Sequence, residues 1–99
     1  MADFRFEREC RTPFSEAYLI ADGEEQVGRV DIHYTASIVY ATLSVAENLT
    51  TDDIQDLIDA IDEELIMSAD VARDDFIVTV YQGREVGVFS DEEFAEDED

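Results

Sequence analysis

The sequence predicts an α+β protein: a two-layer sandwich, one antiparallel sheet with a single helix packed on one face. Three observations predict it. The stretch "TTDDIQDLIDAIDEELIM" repeats apolar residues at intervals of three and four, the period of a helix with one buried stripe. The segments on either side are rich in Val, Ile, Tyr and Phe, residues suited to a pleated, half-buried surface. Short Gly-containing breaks separate those segments at hairpin spacing. The expected order is β-β-β-α-β-β, with a possible extra strand at the N-terminus.

In chain order, Phe4, Phe6 and Cys10 sit among charged neighbours in "FRFERECR", the pattern of an edge strand whose charges discourage further pairing. "FSEAYLIAD" then runs into Asp22-Gly23 and "EEQVGRVDIHY", which reads as strand, tight turn and strand. Val27 is out of phase with Val30, Ile32 and Tyr34, and a bulge at Gly28 restores it to their face. Ile38 to Val45, "IVYATLSV", has β-branched or aromatic side chains at most positions and reads as a central strand.

Thr50 or Thr51 caps the helix, and Asp52 and Asp53 set negative charge against its positive end. Ile54, Leu57, Ile58, Ile61 and Leu65 form its apolar stripe. "SADVARDD" is a connector. "FIVTVYQGREVGVFS" reads as a second hairpin, with Gly83-Arg84 as its turn. Residues 1–90 make one domain, since a chain of 99 residues has material for a single core. Residues 91–99, "DEEFAEDED", are expected to be an acidic disordered tail.

The chain carries 27 Asp and Glu against 6 Arg and no Lys, for a net charge of −21. A field of that sign repels phosphate, so no direct nucleic-acid binding is expected. The acid excess without lysine resembles the proteome bias of salt-loving organisms. The single Cys10 allows no intramolecular disulfide, and no stretch has the form of a signal peptide or membrane span. The expectation is a cytoplasmic protein with no membrane contact.

A helix of this length is about 10 Å wide, whereas five strands at ~4.8 Å spacing make a sheet roughly 20 Å across. One sheet face, with Val39, Ala41, Leu43, Val45, Phe76, Val78, Val80, Val86 and Val88, suits the underside of the helix. The opposite face is expected to hold Tyr18, Ile20, Ile38, Tyr40, Ile77, Tyr81 and Phe89, diluted by Asp31, His33, Thr42 and Thr79. Such a face exceeds the apolar patch that soluble monomers usually expose. It is therefore the expected interface, and a homodimer with twofold symmetry is the commonest way to cover it.

Other constellations carry less. Arg29, Asp31 and His33 alternate along one strand, where an Asp beside the only His could serve acid-base chemistry. The remaining members of a catalytic or metal site are missing from the sequence, so no metal, cofactor or catalytic residue is assigned. Asp52, Asp56, Asp59 and Glu63 line one side of the helix, first of all as a solvated face and second as a docking face for a basic protein. That segment lacks the turn glycine and ligand order of a calcium loop. Cys10 lies between arginines in "RECR", which would lower its pKa if it were reactive. The reading that follows is a small, acidic, non-enzymatic protein-interaction module that forms a homodimer through the sheet. The alternatives are an acidic inhibitor that mimics nucleic acid on a basic protein surface, and a small enzyme using Asp31 and His33.

Overall fold

The computed structural model describes residues 4–66 and 75–91. Of the expected connector, 68–75, only Asp75 is described, as the first residue of the last strand, and of the expected tail, 91–99, only Asp91; the rest of both lies outside the described residues. Where apolar residues alternate, the chain is extended: β1 (Phe4–Thr12), β2 (Ser15–Asp22), β3 (Glu25–Tyr34) and β4 (Ile38–Ala46). Where they recur at three and four it is helical, in α1 (Thr51–Ile61) and a π-helical turn over Asp62–Ile66. The last strand, β5, is Asp75–Gly83. Among the described residues the fold is α+β: one open five-stranded sheet in the order β1-β2-β3-β4-β5, mostly antiparallel, plus one helix.

The possible extra N-terminal strand is present, whereas the last strand differs from the expected order in its direction. β1 is a full strand paired along β2, so four strands precede the helix. β5 lies beside β4 and parallel to it. A helix between two neighbouring strands carries the chain back along the sheet, so the second strand must start from the same end as the first. The expected second hairpin does not form. No strand is present over residues 84–90, and Gly23, at φ 68, is the one glycine with a positive φ among the described residues. Gly83 therefore lacks the backbone geometry that a tight turn with Gly at its first central position requires.

The Gly23 turn and the bulge do form. Asp22 pairs with Glu25 across the turn, Ala21 pairs with Gln26, and Ile20 pairs with Gly28, which leaves Val27 as the extra residue. The bulge brings Val27 and Val30 into one buried cluster. That cluster joins Ile20, Ile32, Val39, Ala41, Leu43 and Val45 of the sheet with Leu57, Ile61 and Ile66 of the helical segment. The sheet face bearing these side chains is the core face.

Thr50 is the N-cap: its hydroxyl accepts from the Asp53 N–H at 3.1 Å, while its own N–H donates to the Asp53 carboxylate at 3.0 Å. This reciprocal pair satisfies two donors that the helix would otherwise leave open. Thr50→Ala is expected to cost about 1 kcal/mol, read as a lower denaturation midpoint with the denaturant slope unchanged.

Glu16 is the buried acid of the core face. It accepts a hydrogen bond from the Tyr18 hydroxyl and pairs with Arg11 at 3.4 Å. The Tyr18 phenol is pushed up to about 12, first by burial, then by its bond to Glu16 and the charge of that carboxylate. Because the neutral phenol is the form the fold favours, its contribution is complete below the ordinary tyrosine value near 10 and is lost as pH rises through 12. Melting temperatures measured between pH 9 and 12 should fall more steeply for the native chain than for Tyr18→Phe.

Candidate interaction surface

Strand register decides which of the expected interface residues meet. His33 pairs with Tyr40, and Tyr40 with Ile77. Ser44 pairs with Tyr81, and Ile38 with Asp75. Since cross-strand partners share a face, Ile38, Tyr40, Ile77 and Tyr81 lie together on the face away from the core. Tyr40 is 42% exposed, Ile77 39% and Tyr81 61%. Thr42 and Thr79 lie on the same face as a register pair between them.

Tyr18 and Ile20 do not belong there, which corrects their expected placement. Tyr18 pairs with Val30, a buried core residue, and Ile20 is 0% exposed within the core cluster. The cause is the bulge at Val27, because one extra residue shifts the pairing and moves every later side chain of the partner strand to the opposite face. In the other direction, Leu19 was missed. It pairs with Arg29 on the outer face and is half-buried. Carrying the bulge from β3 across to β2 would have found it. Phe89 is 73% exposed but lies beyond β5 rather than on a strand.

The polar residues of the outer face are tied to one another. Arg29 reaches Asp31 at 3.2 Å on its own strand and Glu9 of β1 at 3.1 Å, spanning β2. Burial opposes the charge of the Arg29 guanidinium, but the hydrogen bond and charge of Asp31, followed by those of Glu9, raise its pKa. Asp31 is thus engaged by an arginine, while His33 is exposed beside Ser15 and Tyr40. Among the described residues, no group of three or more His, Cys, Asp or Glu is placed to hold a metal ion. Cys10 is exposed and pairs with Ala17 across β1 and β2.

On the helical segment, Asp52, Asp56, Asp59 and Glu63 are all exposed. Asp59 accepts a long hydrogen bond from Gln55 at 3.4 Å. A cavity of about 820 Å³ lies where β3, β4 and β5 meet, bordered by Arg29, Ser44, Tyr81 and Arg84 among others. No helix among the described residues is long and apolar enough to cross a membrane. Compared with protein-family models, curated proteins and solved structures, the chain matches none.

Proposed function

We propose that this chain is a small acidic protein-interaction module that works without catalysis and self-associates through its sheet as a homodimer. The observation that carries the reading is the row of exposed apolar and aromatic side chains Tyr40, Ile77 and Tyr81 on the outer sheet face. Tyrosine suits such a surface, since its ring buries area while its hydroxyl remains useful at a wet rim. The acid helix and the rest of the −21 charge then face solvent in a cytoplasmic setting. Sedimentation equilibrium tests this: the mass should be twice the chain's 11.2 kDa. The dimer should tighten as salt rises, because screening weakens repulsion between two acidic chains. A mass of 11.2 kDa at every concentration and salt level rejects it.

The exposure of Asp52, Asp56, Asp59 and Glu63 together favours a second reading, a docking face for a basic protein in the manner of a nucleic-acid mimic. Duplex DNA carries one charge per ~1.7 Å of axis, far denser than one carboxylate per helical turn, so mimicry would need other acids as well. A basic partner held by this face should leave as salt rises, whereas a partner on the apolar face should stay.

A further inference from the structure

The two edges of the sheet are treated differently. β1 carries Arg5, Glu7, Arg8, Glu9 and Arg11 in nine residues, and its pairing is broken by a register shift between Arg8 and Cys10. Charge and bulge are both devices that stop an edge from recruiting another strand. β5 has neither. Its one charged residue is Asp75 at the start, its register against β4 runs without interruption, and no described strand covers its outer edge.

The chain that follows β5 is equally unprotected. Val86 is 93% exposed, Val88 74% and Phe89 73%, although "REVGVF" has strand-like composition. It does not fold back on its own β5: residues 84–90 form no strand, and Gly83 does not adopt the positive φ of a tight turn. Instead Gly83 still pairs with Ala46, and Arg84 and Glu85 border the cavity at the ends of β3 and β4. From Phe76 to Ser90 the only charges are Arg84 and Glu85, which cancel. In a chain of net charge −21 this neutral window is where two copies can approach with least repulsion.

We propose that the occupant of the β5 edge is the Arg84–Phe89 segment of a second copy, exchanged reciprocally about a twofold axis at Gly83. This rests on the self-association part of the reading above but places the contact on the β5 edge instead of the outer sheet face. The two segments run antiparallel, so each sheet gains a sixth strand from the other chain. With Gly83 opposite its own copy, Val86 faces Val80, Val88 faces Val78 and Phe89 faces Ile77 of the partner copy. Glu85 falls opposite Tyr81 and Arg84 opposite Gln82, so no like charges sit directly opposite each other. The register thereby pairs every exposed large apolar side chain from Val86 to Phe89 with an apolar one of β5.

The test is sedimentation equilibrium of the full chain with two single variants, Val88→Asp and Tyr40→Glu. Val88 is largely exposed in the single chain, so Val88→Asp should leave the subunit's circular dichroism unchanged while the dimer mass falls to that of the monomer. Tyr40→Glu, on β4 away from the edge, should remain a dimer. If Tyr40→Glu dissociates and Val88→Asp does not, strand exchange is overturned while face-to-face self-association stands. A native chain that is monomeric throughout overturns both. Register is read by cross-linking in a Cys10→Ser background, where residues directly opposite on antiparallel strands lie within disulfide reach. Gly83→Cys should form an interchain disulfide and Thr79→Cys should not; the reverse pattern overturns the proposed axis.

Discussion

Leu43→Ala is expected to destabilise the fold by about 2–5 kcal/mol, the range for removing a buried leucine and leaving a cavity. Leu43 is fully buried on β4, between Val30 of β3 and Val80 of β5. Both neighbours are held in hydrogen-bonded ladders, so the sheet cannot close over the space without giving up backbone pairing. Against a total stability of 5–15 kcal/mol for typical domains, the loss is large. Urea denaturation at fixed chain concentration measures it. A change below about 1 kcal/mol would mean that the site is far less tightly packed than its burial implies.

Gly28→Ala should be comparably damaging through the opposite fault. A Cβ added at Gly28 would sit 2.3 Å from the Ser44 carbonyl oxygen and 3.2 Å from the Val45 Cα. These are backbone atoms of β4, with no rotamer to turn away. The β3–β4 ladder must open locally, and the expected cost is at or above the upper end of the ~1–3 kcal/mol typical of overpacking. Gly83→Ala is the control. Nothing lies within 4 Å of its added Cβ and its φ is not positive, so its stability should stay within about 1 kcal/mol of the native chain. Equal losses at the two positions would mean that the close approach at Gly28 is not what glycine serves there.

The parts of the fold that were legible in the sequence are those fixed by local chemistry. Thr50 with Asp53 announces a helix start because both groups bond within one turn. Gly28 beside an out-of-phase Val27 announces a bulge because only an extra residue restores the face. What local chemistry leaves open is pairing at a distance. "GREVGVF" has the composition of a returning strand, but composition does not set the φ of Gly83. The face of Tyr18 depended on following the bulge across a hairpin, where a slip of one residue exchanges core for surface. Of the candidate surface, Ile38, Tyr40, Ile77 and Tyr81 were readable because β4 and β5 pair without interruption, so parity along each strand is parity across both. Parallel pairing of β5 was implicit in a lone helix between neighbouring strands, and was hidden by treating the last segment as a hairpin.

The contrast between β1 and β5 also limits size. A flat sheet with two receptive rims would keep adding molecules, and its end product would be a fibre. Here one rim, with five charged side chains and a break in its ladder, refuses addition. In the proposed strand exchange, growth from the other rim is exhausted after a single joining event. With that arrangement, an acidic chain with a bare strand at one end would stay a small, countable particle rather than an open-ended filament.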